Sequence, residues 1–100
     1  MTVFAYAPDL MDRSKITAAA EVVVVRRLSD VDAAAGDTVV VDLSRPGVLD
    51  AVPEFVAAGA RVIAFGSHVD REMLEAGRAA GAEVLARSAF FSRVGDYLGS

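Results

Sequence analysis

The sequence contains no cysteine, and this absence excludes several kinds of site at once. Disulfides, thiolate metal centres and cysteine nucleophiles are all impossible. Because His68 is the single histidine, a metal site built on several histidines is impossible too. No glycine-rich loop follows the first apolar run, where Ala-Pro-Asp-Leu stands at 7–10. This argues against nucleotide and dinucleotide binding.

Basic residues are too few and too dispersed to form a nucleic-acid surface. Ten Lys and Arg stand against fourteen Asp and Glu, a formal net charge of −4, and Arg26-Arg27 is the one adjacent basic pair. The N-terminus lacks the basic region and apolar run of a signal peptide, and no apolar run approaches membrane-spanning length. We therefore expect a cytoplasmic protein that binds neither nucleic acid nor membrane.

Apolar runs alternate with amphipathic segments five times along the chain. The length of 100 residues with 54% hydrophobic residues indicates one domain, 1–100, whose sheet is covered on both faces. The predicted strands are 3–7, 21–26, 37–42, 61–65 and 83–86. Nearly unbroken apolar strands that alternate with helices indicate a doubly wound α/β fold with a parallel sheet. Right-handed crossovers favour the flavodoxin-like order 2-1-3-4-5.

Capping residues predict the first two helices. Asp9 is the expected N-cap of the first helix, which continues to about Ala20. Ser29 is expected to cap a short second helix that Gly36 ends.

The remaining helices follow from caps and apolar stripes. Asp50 is the expected N-cap of the third helix, with Pro53 in its first turn and Gly59 at its end. The fourth helix is expected to present one face made of Val69, Met73, Gly77 and Ala80. The closing helix carries an apolar stripe made of Phe90, Phe91, Val94, Tyr97 and Leu98.

The predicted third strand ends in Asp42, and a Pro46-Gly47 turn follows four residues later. In the expected order, strands one and three are neighbours, and their carboxyl ends form the crevice where open α/β sheets bind ligands. The predicted site therefore consists of the segments 7–12, 42–46 and 66–70.

Three stretches make the chain resemble the receiver domain of bacterial response regulators over essentially its whole length. They are Val-Asp-Leu-Ser-Arg-Pro-Gly at 41–47, Arg-Val-Ile-Ala-Phe-Gly-Ser-His at 61–68, and Ala-Ala-Gly-Ala-Glu-Val-Leu-Ala at 79–86. The first resembles the segment that carries the phosphate-accepting aspartate. The resemblance implies a flavodoxin-like fold and a role in two-component signalling.

An active receiver would need two acids after its first strand, which hold Mg²⁺ together with the acceptor aspartate. Charge stabilisation of this type supplies most of phosphoryl-transfer catalysis. The resemblance places the acceptor at Asp42 and the acidic pair on Ala7-Pro8, with Asp9 and Asp12 just beyond. Mg²⁺ is therefore expected only if the receiver is active, and otherwise no cofactor is expected.

The two groups that would bind the phosphoryl oxygens are also displaced. The hydroxyl position after the fourth strand falls on Gly66, with Ser67 one residue late. The lysine position after the fifth strand falls on Ser88, with Arg87 one residue early. Only Asp42 is plainly retained, which resembles a degenerate receiver.

Each acid has a structural interpretation beside the functional one. Asp42 is a phosphoacceptor, a ligand-site residue, or a polar strand end that accepts backbone N–H groups. Asp9 is an N-cap or a metal ligand, and Asp12 is a first-turn acid, a capping-box acid or a metal ligand. A further hypothesis pairs Arg87 with Asp42 through a bidentate guanidinium, which would lock the site in one state.

Other candidates lie in the same loops. Ser44 and Ser67 are candidates for binding a small anion near Asp42. His68 is a candidate for proton transfer, because imidazole titrates near neutrality, or else a plain surface residue.

A partner surface is expected on the predicted fourth helix, fifth strand and closing helix, the usual contact face in the family that the chain resembles. The closing helix is too short to bury five large side chains easily, and Leu74 lies off the apolar face predicted for the fourth helix. Leftover apolar groups there would suit a protein partner or a homodimer.

The favoured interpretation is a stand-alone, non-catalytic receiver-like module that works by protein–protein contact, with no output domain. The alternative is a working single-domain receiver phosphorylated on Asp42. A weaker alternative is a small-ligand module that uses the same crevice.

Overall fold

Five parallel strands form one sheet in the order β2-β1-β3-β4-β5 in the computed structural model, which describes residues 1–98. The strands are β1 Val3–Tyr6, β2 Val23–Val24, β3 Thr38–Asp42, β4 Arg61–Gly66 and β5 Glu83–Ala86. The predicted α/β class and the flavodoxin-like order 2-1-3-4-5 are confirmed.

The helices are α1 Leu10–Ala19, α2 Val48–Ala57, α3 Arg71–Ala79, α4 Arg87–Ser92 and α5 Val94–Leu98. The longest of them has 10 residues, and no helix in the described part of the chain has the length and apolar character needed to cross a membrane.

The strand period of two divides the core between the two faces of the sheet. On one face, Val39 and Val41 of β3 pack with α2 and α3, around Val52 and Phe55. On the other face, Val40 joins a cluster with residues of β1, β4, α1 and α4, whose members are Ala5, Ala7, Ile16, Ile63, Phe65 and Phe90. The carboxyl end of β3 therefore lies between two helical layers.

The segment after β2 does not form the predicted helix. It makes only a 3₁₀ turn, Leu28–Asp30, in which Ser29 is an inner residue and not a cap. The side chain of Asp37 accepts hydrogen bonds from the backbone N–H groups of Ala34 and Thr2, both at 2.9 Å. These bonds hold the segment as a turn against the start of β1, in competition with helix formation. The second strand is also shorter than the predicted 21–26.

The third predicted helix begins earlier than expected. Gly47, at φ 82°, occupies the N-cap position of α2, so Asp50 is a first-turn acid and not the cap. The fully buried Val48 explains the early start, because helical geometry there turns its side chain into the core. Pro53 consequently lies inside the helix, beyond the predicted first turn. The predicted end is confirmed, since Gly59 follows Ala58 at φ 90°.

The apolar face predicted for the fourth helix is wrong in detail. That helix, α3, begins at Arg71 with Asp70 as its N-cap, so Val69 lies in the preceding loop and is 75% exposed. Leu74 and Gly77 are the buried residues of α3, although Leu74 was expected off the apolar face. Leu74 packs over Gly66, where a Cβ atom would stand only 3.3 Å from the leucine Cδ2.

The closing segment forms two short helices, α4 and α5, separated at Arg93. The break lets the aromatic rings fold over one another: Phe90 stacks on Phe65 at 5.1 Å and on Tyr97 at 5.9 Å between ring centroids. Phe90 is fully buried, and the other large side chains of the predicted stripe are half-buried. The partner role of this surface stays a prediction.

Candidate functional site

Asp42 is the last residue of β3 and is only 1% exposed. It stands two residues after Val40, so its side chain projects from the same face of the sheet, toward α1 and α4. Phe65 lies beside it in the neighbouring strand. The strand pattern alone therefore carries a carboxylate into an apolar layer, where it needs hydrogen-bond partners or a countercharge.

One oxygen of Asp42 holds the turn that follows the strand. Its Oδ1 atom accepts hydrogen bonds from the backbone N–H of Ser44 at 3.0 Å and from the Ser44 hydroxyl at 2.7 Å. A carboxylate that binds a backbone N–H two residues later is a common device for shaping a turn. The structure thus brings the candidate Ser44 to Asp42, as a donor to the carboxylate.

The other oxygen of Asp42 faces Arg87, the first residue of α4. The Arg87 Nη2 atom lies 3.4 Å from Asp42 Oδ2, so the two residues pair as predicted, but through one nitrogen only; the predicted bidentate contact with Asp42 is wrong. The other terminal nitrogen, Nη1, donates to Oδ1 of Asp12 at 2.6 Å. Asp12 is in the first turn of α1 and is 4% exposed. The guanidinium therefore bridges two buried carboxylates from different elements.

Two aromatic rings help to hold the guanidinium. Its central carbon lies 5.1 Å from the ring centroid of Phe65 and 5.8 Å from that of Phe91, within cation–π range. The hydrogen bond to Asp12, and the charges of Asp12 and Asp42, raise the pKa of Arg87 above its ordinary value. Arg87 is thus a fixed positive charge at every physiological pH.

Arg45 adds a second cation, which was not among the individual residues predicted for the site. Its Nε atom lies 3.5 Å from Asp42 Oδ2, and its side chain is 39% exposed. The only signal in the sequence was its spacing of three residues from Asp42, within the turn that Pro46-Gly47 completes. The two buried acids and the two arginines balance in charge.

Asp9 does not join this cluster as a ligand. Its Oδ1 atom accepts the backbone N–H groups of Met11 at 2.9 Å and of Asp12 at 3.1 Å, so the N-cap interpretation is confirmed. The bond from the Asp12 N–H, with a further one from Met11 and the nearby charge of Arg87, lowers the pKa of Asp9.

The donor set does not fit the Mg²⁺ ion that an active receiver would hold. Asp12 Oδ1 and Asp42 Oδ2 already bind the guanidinium of Arg87, and Asp42 Oδ1 binds Ser44. Only Asp12 Oδ2 is a buried site oxygen without a hydrogen-bond partner in the described part of the chain. Within residues 1–98, no group of three or more His, Asp or Glu residues is placed to hold a metal ion. The cationic position between the two acids belongs to Arg87.

The other candidates lie apart from Asp42. Ser67 and His68 are exposed in the loop after β4, where the Ser67 hydroxyl accepts the Val69 N–H at 3.4 Å. Gly66 is buried under Leu74, and Ser88 is exposed at the start of α4. Among the hydrogen bonds of residues 1–98, none joins these residues to Asp42.

Comparisons with known proteins identify no relative of this chain. No protein-family model, no curated protein and no solved structure matches the chain. The receiver resemblance therefore depends on the short sequence motifs, whereas the strand order by itself establishes the flavodoxin-like arrangement.

Proposed function

We propose that this protein is a receiver-like signalling module that does not catalyse phosphoryl transfer and acts through protein contacts. The observation that carries the proposal is the bridge from Arg87 to Asp12 and Asp42. In an active receiver, the corresponding region must admit a divalent cation and a phosphoryl group. Here a side chain of the protein itself neutralises both acids.

The geometry at Asp42 opposes its use as a nucleophile. Attack on a phosphorus atom needs a carboxylate lone pair directed at that atom, and each Asp42 oxygen already directs one to a donor from Ser44 or Arg87. Freeing an Asp42 oxygen from its donor would leave a buried charge without its partner, which is energetically costly. A metal ion would also have to displace a guanidinium held by two carboxylates and two aromatic rings.

The same bridge fastens three elements of the carboxyl edge to one another. Asp12 lies on α1, Asp42 ends β3, and Arg87 begins α4. Because the ends of these elements are tied, the edge presents one arrangement of loops to a partner. The sequence resemblance implies bacterial, cytoplasmic signalling, and the predicted contact face corresponds to α3, β5 and α4–α5. These finer statements are part of the proposal.

The test is an attempt to phosphorylate the protein. Wild type, Asp42→Asn and Arg87→Ala are incubated with Mg²⁺ and acetyl phosphate, and separately with beryllofluoride. Mass spectrometry and amide NMR spectra then report any covalent or bound product. We expect no added phosphoryl mass and no Asp42-dependent shift in wild type, because Arg87 occupies the cation position.

The variants distinguish a phosphorylation site blocked by Arg87 from an active receiver. A response that appears in Arg87→Ala but not in the exposed control Arg93→Ala would support the block by Arg87. A phosphoryl mass on wild type that disappears in Asp42→Asn would contradict the proposal and establish an active receiver.

A further inference from the structure

β2 forms one of the two edges of the sheet. On its inner side, the N–H of Val25 donates to the carbonyl of Ala5 at 3.0 Å, in a parallel pairing with β1. Backbone groups of alternate residues in a strand point to opposite edges, so the N–H and C=O of Val24 face away from β1. The chain then leaves through a 3₁₀ turn, and the described residues between β2 and β3 form no α-helix.

The same edge exposes apolar surface. Val23 is 47% exposed, although it belongs to a run of four valines, 22–25. A hollow of about 410 Å³ adjoins it, lined by Met1, Thr2, Val3, Glu21, Val22 and Val23. β2 itself has only two residues. The β-branched run 22–25 that contains it has no proline and turns the N–H and C=O groups of Val24 outward, so it offers a short template for pairing with another strand.

We propose that β2 pairs antiparallel with β2 of a second copy of this chain. Such a pair is related by a twofold axis perpendicular to the sheet, and directly opposite side chains then share a face. With the axis at Val24, the outward N–H and C=O groups of the two Val24 residues bond to each other. Val23 then lies opposite Val25 of the partner subunit.

Charge complementarity selects this register. With the axis at Val24, Glu21 stands three residues before the axis and Arg27 of the partner subunit three residues after it, at the same end of the junction, and the symmetric pair forms at the other end. The chain bends at Arg26 and Arg27, so the long Arg27 side chain makes this contact. An axis at Val23 would place Glu21 opposite an apolar valine. Arg27 has extended backbone, at φ −133° and ψ 145°, and its side chain is 80% exposed, with its Nε atom 3.9 Å from Asp30 Oδ2. An exposed pair of this kind is weak, so a change of rotamer brings the guanidinium to an acid across the junction.

The resulting dimer joins two five-stranded sheets into one continuous sheet and covers the β2 edge of each copy, while β5 stays at the outer edges. The contact is isologous and closes after two copies, so it does not lead to fibres. It is independent of the block at Asp42 and stands whether or not the protein is phosphorylated.

Introduced cysteines test the register, because the chain has none of its own. In a hydrogen-bonded antiparallel pair, the two Cα atoms are about 5.5 Å apart, within the range of about 4.4–6.8 Å for disulfides. Val24→Cys should therefore cross-link to a dimer under mild oxidation. Two copies of Val23 would be about 8 Å apart in this register. The more exposed variant Val23→Cys should thus cross-link at least about tenfold more slowly.

Charge reversal tests the association without cross-linking, by light scattering and sedimentation of the full chain. Glu21→Arg and Arg27→Glu should each weaken dimerisation about tenfold, and the double variant should restore it. The exposed control Glu72→Lys should leave it unchanged. A wild type that is monomeric at every concentration examined, faster cross-linking of Val23→Cys than of Val24→Cys, or failure of the double variant to restore association would each overturn the proposal.

Discussion

Val40 and Asp42 lie two residues apart on one face of β3, and both are buried, yet their surroundings are opposite in character. Val40 is fully buried among apolar residues of β1, β4, α1 and α4. Asp42, at the end of the same strand, is surrounded by Ser44, Arg45 and Arg87. A distance of two residues along a strand thus separates a hydrophobic interior from a balanced group of charges.

This difference teaches where a charge is tolerated in the fold. At the carboxyl edge, loops and helix starts bring donors and cations to the strand end, so a buried carboxylate finds partners. In the middle of the strand, the neighbouring backbone groups are consumed by the sheet and the side chains are apolar. The carboxyl edge can therefore hold charged side chains, whereas the middle of the strand contributes to the stability of the fold through apolar packing.

The largest expected effect is that of placing an acid in the interior. Val40→Asp should unfold the domain, because an unpaired buried charge costs several kcal/mol, comparable with the whole stability of a small domain. Circular dichroism and thermal melting would measure this. Val69→Asp, at a residue that is 75% exposed, is the matched control and should melt like wild type. A cooperative melt of Val40→Asp near the wild-type temperature would contradict the difference between the two regions.

The second prediction removes the acid at the edge. Asp42→Ala should lower the free energy of unfolding by about 2 kcal/mol, because Arg87 and Ser44 lose an acceptor inside the fold. Urea denaturation would measure the loss, with the exposed Asp32→Ala as a control that changes by no more than about 0.5 kcal/mol. A neutral or stabilising Asp42→Ala would mean that the partners seen here do not stabilise the acid.

A smaller effect is expected from changing the shape of the cation. Arg87→Lys keeps the charge but cannot bind Asp12 and Asp42 through two separate nitrogens, so we expect a loss of about 1 kcal/mol, limited by the partial exposure of the side chain. The control is Arg78→Lys, whose exposed pair with Glu75 should tolerate the change. Equal stability of both variants in urea would show that the bridging geometry adds nothing beyond charge.

The smallest effect concerns the exposed acid at the same edge. Hydrogen bonding from the Asp12 N–H holds the folded pKa of Asp9 below its ordinary value of 3.8. Its stabilising contribution is therefore present above that value and is lost as the pH falls through the lower, folded pKa. Asp9→Asn keeps a capping oxygen but does not titrate, so its stability should fall less steeply below pH 4 than that of wild type. Parallel acid melts of the two proteins would check this. An equal loss of stability below pH 4 in the two proteins would contradict this prediction.

Periodicity predicted the strands and the place of Asp42 at the carboxyl edge, and the right-handedness of crossovers favoured the observed strand order. They failed where side chains override local signals. Ser29 looks like a cap, but the carboxylate of Asp37 takes the Ala34 N–H and keeps that segment a turn. Asp50 looks like a cap as well, but burial of Val48 starts α2 earlier.

The sequence predicted only part of the site: it indicated Asp42 and Arg87, but not the roles of Asp12 and Arg45. The proximity of Asp42 and Arg87 followed from the positions that the receiver resemblance implies, because both residues stand at strand ends on one edge of the sheet. Asp12 looked like an ordinary first-turn acid, and Arg45 gave no signal beyond its spacing. Asp12 is 75 residues from Arg87 in the sequence, and local patterns carry no information about such a contact.

The sequence alone determined the parallel sheet and the acid at its edge and favoured the strand order, because hydrophobic patterning along each segment is local and right-handed crossovers leave few topologies. Only the tertiary structure decided that Arg87 lies between Asp12 and Asp42. That outcome depends on how α1 and α4 pack against the sheet, and distances of a few ångströms between remote side chains are set by packing and not by spacing along the chain.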